Sequence, residues 1–285
     1  MMTGAPLLLV DGHNLLWRGA FGFPADVLSR DKQRDLTAEF AFFALLGVAI
    51  REEFAEPPEV LVVFDGEHGA AERQGADSGY KANRVLDEAA LKPLRALPWV
   101  QQGLTAYDIA WIEIDTAEAD DVIATLVTAV RRDDPQREVW IMSGDRDYYQ
   151  LLDERVRVLN TGMKRGNRHI GPTEVFDRFG VTPTQWADFR ALTGDPADNI
   201  PGVKGVGTSS AARMLADGLA LDELPASGRL TGAKGKAVEQ AWEQVLAWRG
   251  LIRMRLDLPL PVLPTGLPSR ELPKPAEVIE KLGLW

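Results

Sequence analysis

The stretch "APLLLVDG" at residues 5–12 is a short apolar run that ends in an aspartate, Asp11. "EVLVVFDGE" at residues 59–67 repeats this pattern and ends its apolar run at Asp65, and "EVWIMSGDRD" at residues 138–147 leads into Asp145 and Asp147. Longer stretches with helical character separate them, including residues 36–54 and the segment "EADDVIATLVTAVRR" from residue 118. Short β-rich runs alternating with helices predict an α/β fold, with a central, mostly parallel sheet flanked by crossover helices.

Acidic residues fall at the ends of the predicted strands and at the start of a predicted helix. In a parallel sheet the ligand crevice lies outside the carboxyl ends of the strands, so these side chains are expected to converge there. The acids concerned are Asp11, Asp65, Glu118, Asp120, Asp121, Asp145 and Asp147. Any one of them could be an ordinary helix cap, since Asp is favoured at that position.

Seven clustered carboxylates would be costly without positive charge to offset them. Ligation by oxygen alone suits Mg²⁺ or Mn²⁺, and we expect two or more such ions. Zinc is disfavoured because the chain has no cysteine and no pair of histidines at ligand spacing. Such a site would suit two-metal chemistry on a phosphate.

The chain changes character from about residue 171, where helical patterns such as "PTEVFDRFG" take over. We therefore predict a first part at residues 1–170, with an arch-like insertion at residues 67–106, and a smaller helical part at residues 171–285. Its proline-rich tail "DLPLPVLPTGLPSRELPKP" is expected to run extended over the surface.

A glycine-rich segment, "GDPADNIPGVKGVG" at residues 194–207, lies between two predicted helices. Gly202, Gly205 and Gly207 indicate a tight hairpin whose backbone amides could bind phosphate, and Lys204 adds charge at its tip. The alternative is a glycine-rich turn between helices without a ligand. Asp195 and Asp198 precede the hairpin and could join the metal-binding carboxylates.

The net charge is −10, from 42 acidic and 32 basic residues, and taken alone it argues against nucleic-acid binding. Without the nine proposed metal ligands the chain has 33 acidic against 32 basic residues, so that objection falls away. The absence of cysteine excludes disulfides and fits a reducing compartment. With no membrane-length apolar run, we expect a cytoplasmic protein without membrane contact.

Taken together and in order, these motifs resemble the bacterial 5′-3′ exonuclease and flap endonuclease family, which includes the 5′-nuclease domain of DNA polymerase I. The matching motifs are "LLLVDGHNLLWR", "VVFDG", "GYKANR", "EADDVIATL", "MSGDRDYYQLL" and "QWADFRALTGDPADNIPGVKGVG". The resemblance covers nearly the whole chain. It implies a helical arch and a C-terminal helix–hairpin–helix variant that binds DNA and holds K⁺ at its hairpin.

The resemblance also implies roles for individual residues. It places Asp11, Asp65, Glu118, Asp120 and Asp121 in one metal cluster, and Asp145, Asp147, Asp195 and Asp198 in a second. Tyr80 is implied to stack near the terminal nucleotide, and Lys81 and Arg84 to contact the scissile phosphate. Arg18 is implied to contact the substrate. The balanced charge of residues 67–106 departs from the basic arch that threading a single strand would favour.

These implications lead to the expectation of a stand-alone, monomeric, metal-dependent 5′ nuclease that hydrolyses DNA with 5′ flaps, nicks or 5′ ends in replication and repair. Since the sequence stops at Trp285, no polymerase domain is expected to follow. One alternative is a protein that binds flaps or branched DNA without cutting them. Another is a metal nuclease directed at RNA, because no residue excludes RNA–DNA hybrids.

Overall fold

The computed structural model describes residues 4–83 and 87–285. Its strands are β1 Leu7–Asp11, β2 Glu59–Asp65, β3 Ala110–Ile114, β4 Val139–Met142, β5 Val156–Leu159 and β6 His169–Ile170. The helices of the first half are α1 Gly12–Gly22, α2 Thr37–Glu53, α3 Ala71–Ala76, α4 Glu88–Ala106 and α5 Ala119–Asp133. Those of the second half are α6 Pro172–Phe179, α7 Trp186–Thr193, α8 Thr208–Met214, α9 Gly232–Gln240, α10 Trp242–Ile252 and α11 Pro275–Lys281. Short 3₁₀ turns include Asp147–Leu151 and Arg165–Asn167.

Within the described residues the strands form one sheet in the order β3-β2-β1-β4-β5-β6. All neighbouring pairs are parallel except β5 and β6, which are antiparallel. The chain first builds outward from β1 to β2 and β3, and then returns to place β4 on the other side of β1. The predicted α/β class with a mostly parallel sheet is thereby confirmed.

Both faces of the sheet are covered, which explains why its central strands read as continuous apolar runs. Leu8 and Val10 of β1 pack with α1, α2 and α4 on one face. Leu7 and Leu9 pack with α5 on the other. These four side chains are fully buried, and each contributes about 1.5–3 kcal/mol relative to an exposed position.

The predicted arch region, residues 67–106, contains α3 and α4. The last part of α4 belongs to the core, which differs from the expectation of an insertion: Ala96, Val100 and Leu104 recur at four-residue spacing and are buried against α2. Pro93 and Pro98 lie inside this helix and interrupt its apolar pattern in the sequence.

Helices α6–α10 pack on the α5 side of the sheet and share one apolar cluster with it. The proline-rich tail then returns to the first part of the chain, so residues 257–285 do not belong to the helical part alone. Gly266 accepts a hydrogen bond from the backbone of Ala5 at 2.9 Å, and Glu59 accepts one from the backbone of Thr265 at 2.6 Å. The helix α11 completes the contact by packing on α2. Across the described residues, no helix is both long and apolar enough to cross a membrane.

Candidate active site

The carboxyl edge of the sheet forms the floor of the candidate site. Asp11 is the last residue of β1, Asp65 is the last residue of β2, and Ser143 follows β4. The chain reverses its direction of winding between β1 and β4, and such switch points are where open α/β sheets bind ligands. Gly66 is required after β2 because a Cβ there would lie 2.0 Å from the carbonyl oxygen of Ile114.

Asp11 is buried and held from several sides. It caps α1, where its Oδ1 accepts a hydrogen bond from the backbone of Asn14 at 3.0 Å. Its Oδ2 accepts one from Ser143 Oγ at 2.9 Å and one from the hydroxyl of Tyr148 at 3.3 Å. Burial, and next the charge of Asp65, raise the pKa of Asp11 to about 7. The carboxylate is thus positioned where its negative charge is unfavourable.

Asp65 links the end of β2 to the start of α5. Its Oδ1 accepts a hydrogen bond from the backbone of Ala119 at 2.7 Å. Glu118 is the N-cap residue of α5, and Asp120 lies in the first turn of the same helix. A helix N-terminus favours negative charge, so these three acids gather at a favourable position.

Cations from the predicted arch region also enter this group. Arg73 Nη1 donates to Glu118 Oε2 at 2.5 Å and lies 3.7 Å from Asp120 Oδ1. Lys81 Nζ donates to Glu118 Oε1. Part of the repulsion within "EADD" is therefore offset by the chain's own side chains. For Asp120, burial is the largest effect and raises the pKa to about 8, even though Arg73 acts in the opposite direction.

Asp121 differs from its neighbours because its carboxylate bonds two arginines. It is fully buried, and its Oδ1 accepts hydrogen bonds from Arg73 Nη2 at 2.7 Å and from the backbone of Arg255 at 2.8 Å. Its Oδ2 accepts one from Arg255 Nε at 2.8 Å. Both oxygens are engaged by protein donors, so Asp121 holds two arginines in this structure, and its metal-ligand role stays a prediction.

The second predicted carboxylate group combines the segment after β4 with the loop after α7. Asp145 is exposed, and its Oδ1 accepts a hydrogen bond from the backbone of Asp147 at 2.9 Å. Asp195 is buried, paired with Arg190, and accepts a hydrogen bond from the backbone of Ala197 at 2.9 Å. Asp198 lies 3.8 Å from Lys81 Nζ, so Lys81 stands between the two groups.

Asp147 provides the test of whether these residues fit a cation. Its carboxylate is buried, and its Oδ1 has no hydrogen-bond partner. Burial, and then Asp145, Asp195 and Asp198, raise the pKa of Asp147 well above its usual range. A buried carboxylate oxygen without a donor, surrounded by other carboxylates, fits a divalent cation with oxygen ligands.

A compact group of potential ligands also exists elsewhere. Among the described residues, Glu67, His68 and Asp115 each bring one ligand atom within 4.8 Å of the others. All three are exposed, and His68 Nδ1 lies 3.0 Å from Asp115 Oδ1. None of the nine predicted ligands belongs to this group.

The motif "GYKANR" contains three predicted substrate contacts, Tyr80, Lys81 and Arg84. Tyr80 is only 3% exposed, and its hydroxyl donates to Glu118 Oε2 at 3.1 Å. Lys81 Nζ lies 4.8 Å from the centre of its ring. The ring is covered by protein in this arrangement, and the stacking of Tyr80 on a nucleotide stays a prediction. Arg84 lies outside the described residues, and its role stays a prediction.

Arg18 extends from α1 toward the loop after β5. It donates to Thr161 Oγ1 and, at 2.5 Å, to the carbonyl oxygen of Thr161. Arg18 lines a cavity of about 300 Å³ together with Trp17, Ser143 and Gly144. The cavity adjoins the carboxylate group, because Ser143 also bonds Asp11. The predicted substrate contact is compatible with this position.

The glycine hairpin forms between α7 and α8, as the sequence predicts. Gly202 has φ +66°, and a Cβ on it would lie 2.3 Å from the backbone nitrogen of Gly194, so two glycines allow the chain to approach itself closely. Val203 is buried beneath the hairpin, while Lys204 and Gly205 are exposed at its tip. Gly207 is exposed at the N-cap of α8. The phosphate-binding role of these residues stays a prediction.

The chain combines a parallel sheet that gathers carboxylates at its carboxyl edge with a helical part that carries a glycine hairpin, an architecture that fits the class of 5′-3′ exonucleases. Two family descriptions match the chain: "5'-3' exonuclease, N-terminal resolvase-like domain" over residues 6–180, and "5'-3' exonuclease, C-terminal SAM fold" over residues 181–274. The chain belongs to the 5′-3′ exonuclease family.

Curated relatives include the thermostable DNA polymerase I of Thermus thermophilus, which is 34% identical over 257 residues covering 90% of this chain and 29% of the polymerase. DNA polymerase I of Deinococcus radiodurans is 36% identical over 265 residues covering 90% of this chain and 26% of the polymerase. The chain thus spans less than a third of the length of these relatives.

Solved structures support the same fold. A complex of bacteriophage T5 flap endonuclease with DNA and metal ions has a TM-score of 0.68 and 20% identity, covering 87% of this chain and 88% of that one. The catalytic core of Rad2 in complex with a DNA substrate has a TM-score of 0.57 and 14% identity, covering 99% of this chain and 89% of that one.

Proposed function

We propose that this protein is a divalent-metal-dependent, structure-specific 5′ nuclease that hydrolyses phosphodiesters in DNA with 5′ flaps, nicks or 5′ ends. The observation that carries the proposal is the buried, partnerless Oδ1 of Asp147 among converging carboxylates at the switch point of the sheet. Membership of the 5′-3′ exonuclease family supports the reaction, and the DNA complexes of structural relatives support the substrate class.

The ligands divide into two neighbouring groups in this proposal. Asp11, Asp65, Glu118, Asp120 and Asp121 form one, and Asp145, Asp147, Asp195 and Asp198 form the other. Two Mg²⁺ or Mn²⁺ ions bound there would supply an activated water and Lewis-acid stabilisation of the phosphoryl oxygens. The chain's own contribution is to hold the carboxylates: Ser143 and Tyr148 fix Asp11, and Arg190 holds Asp195.

Lys81 has a separate role. Its ammonium group contacts Glu118 and lies 3.8 Å from Asp198, so it stands between the two carboxylate groups. A cation at that position stabilises negative charge that develops on phosphoryl oxygens. A substrate phosphate entering the site would compete with Glu118 for this ammonium group.

The glycine hairpin would bind the backbone of the duplex on one side of the cleavage point. Contacts of this kind position DNA without reading its sequence. Lys204 contributes charge at the exposed tip. We also propose K⁺ at the hairpin and action as a monomer. K⁺ dependence of duplex binding and the mass measured in solution with and without DNA would test these two points.

The test is cleavage of a 5′-labelled flap duplex in Mg²⁺, in Mn²⁺ and in chelator, with single-stranded and RNA–DNA hybrid controls. Asp147→Ala should abolish cleavage in either metal and leave most flap binding intact, whereas the exposed Asp257→Ala should change neither. Normal cleavage by Asp147→Ala would refute the assigned site. Flap binding without cleavage by the unmodified protein would favour the alternative of a non-catalytic flap-binding protein.

A further inference from the structure

Two asparagines join the segment that carries Lys81 to the loop that carries Asp195 and Asp198. Asn83 Nδ2 donates to the carbonyl oxygen of Pro196 at 2.9 Å, and Asn199 Nδ2 donates to the carbonyl oxygen of Gly79 at 2.8 Å. Each asparagine therefore reaches from its own segment to the backbone of the other. We call this reciprocal pair the asparagine clasp.

A backbone hydrogen bond lies between the two arms of the clasp. The N–H of Lys81 donates to the carbonyl oxygen of Asp198 at 3.1 Å. Lys81 has φ +55° and Asn199 has φ +59°, so both adopt the left-handed conformation. This conformation is unfavourable for lysine and persists only where surrounding contacts hold it. The clasp supplies such contacts on both sides of Lys81.

The other end of the clasp leads directly to the glycine hairpin. Asp195 and Ile200 exchange two backbone hydrogen bonds, at 2.7 and 2.8 Å, which close the loop that contains Asn199. The close approach of Gly194 to Gly202 then joins this loop to the hairpin. A short and tightly bonded path therefore connects the hairpin tip to the backbone of Lys81.

We propose that Asn83 and Asn199 are positioning residues that hold Lys81 between the two carboxylate groups. The position of the Lys81 ammonium group then depends on whether the loop at residues 195–200 stays hydrogen-bonded to the segment that carries Lys81. This inference deepens the proposed nuclease function and rests on it. Neither asparagine touches the reacting atoms in this scheme. Both act through the backbone of Lys81.

The test uses Asn199→Gly, because glycine accepts a positive φ and removes only the side-chain amide. We expect the single-turnover cleavage rate to fall about tenfold, as loss of one ordering hydrogen bond would cause, with flap affinity changed less than about twofold. Asn83→Ala should behave similarly. Asn167→Ala, an exposed asparagine on the 3₁₀ turn Arg165–Asn167, is the matched control and should leave the rate unchanged.

A double mutant shows whether the clasp acts through Lys81. Lys81→Ala alone should slow cleavage, and adding Asn199→Gly to it should produce no further loss. Additive losses would overturn the proposal, as would a normal rate in Asn199→Gly or a loss confined to flap affinity. Any of these results would leave Asn199 as a structural residue only.

Hydrogen exchange supplies a readout that does not depend on activity. Without DNA or metal, Asn199→Gly should speed exchange of the Lys81 amide about tenfold while the amides of β1 keep their protection. Unchanged exchange at Lys81 would refute the clasp. If the unmodified protein cleaved no substrate, the proposed function would fail on its own, and the exchange result would still decide whether the clasp holds Lys81.

Discussion

Replacing Asp11 by asparagine should stabilise the metal-free protein while abolishing its activity. The carboxylate is 8% exposed and lies near Asp65 and Asp145, which is why its pKa rises from an ordinary 3.8 to about 7. Asparagine has nearly the same shape and can still accept the hydrogen bond from the backbone of Asn14. The substitution therefore removes a charge without opening a cavity.

The size of the effect follows from linkage. Each unit of pKa shift corresponds to about 1.36 kcal/mol, so a rise from 3.8 to about 7 corresponds to a folded-state penalty on the order of 4 kcal/mol for ionised Asp11. Part of this gain is offset because the side-chain amide of asparagine needs hydrogen-bond acceptors where the Asp11 carboxylate accepts from two donors, the hydroxyls of Ser143 and Tyr148. We expect Asp11→Asn to raise the free energy of unfolding by about 2–4 kcal/mol at pH 8 in chelator, or roughly 5–10 °C in Tm.

The pH dependence has a defined sign. Because the folded-state pKa of Asp11 is raised, the folded wild type binds more protons than the unfolded chain between about pH 4 and pH 7, and its stability falls as the pH rises through that window. The advantage of Asp11→Asn should be full above about pH 7, shrink below it, and vanish below about pH 4.

Thermal unfolding in chelator at pH 4, 6 and 8, with Asp257→Asn as an exposed control, measures this directly. Added Mn²⁺ should raise the Tm of the wild type and have a smaller effect on Asp11→Asn, because metal that binds only the folded state stabilises it. A variant less stable than wild type in chelator at pH 8 would refute the reasoning, since it would show that the Asp11 charge carries no penalty.

Three further predictions concern stability and DNA binding. Glu59→Ala should lower the free energy of unfolding, measured by urea titration, by about 3–5 kcal/mol, because the 3%-exposed Arg137 would lose its carboxylate partner. Glu59→Gln should recover part of this loss. An unchanged urea midpoint in Glu59→Ala would contradict the prediction. Gly202→Ala should lower the free energy of unfolding by more than about 2 kcal/mol and weaken duplex binding. Gly205→Ala should lower it by about 1 kcal/mol in the same measurement, because a Cβ at Gly205 meets nothing within 4 Å. Equal losses would show that the close approach at Gly202 is unimportant. Lys204→Ala should weaken duplex binding and reduce the slope of log K against log salt by about 1, and an unchanged slope would remove Lys204 from the DNA contact.

The sequence predicts the centre of the sheet well because β1, β2 and β4 are continuous apolar runs that stop at polar residues. The edge strand β3 escapes prediction for a physical reason: in its sequence "AWIEI" Ile112 is the one buried residue, and Ala110 and Glu113 are exposed. The last part of α4 is missed since two prolines obscure the spacing of its buried residues. Fold elements buried on both faces are thus easier to predict than those with one exposed side.

The positions of Asp11, Asp65 and Glu118 could be predicted because each lies at a strand end or helix start, which is a local property. Their cationic partners could not. Arg255 bonds Asp121 across 134 positions of sequence, and Arg73 reaches Glu118 from α3, a short helix within the region whose charge is balanced. Only the folded chain shows that Asp121 holds arginines and that Tyr80 is covered. The signal available in the sequence was the isolated basic residue Arg73 eight positions before Lys81.

The returning tail has a mechanical consequence for the helical part. Helices α6–α10 are joined to the sheet once through β6 and again through residues 264–269, where the tail bonds Ala5, Glu59 and Val60. Because this helical part is connected to the sheet at both of its ends, it cannot rotate away from the sheet about one connection. A protease cut within residues 257–263 would remove one of these connections and leave the shared apolar cluster and the asparagine clasp as the contacts that hold the hairpin near the carboxylates.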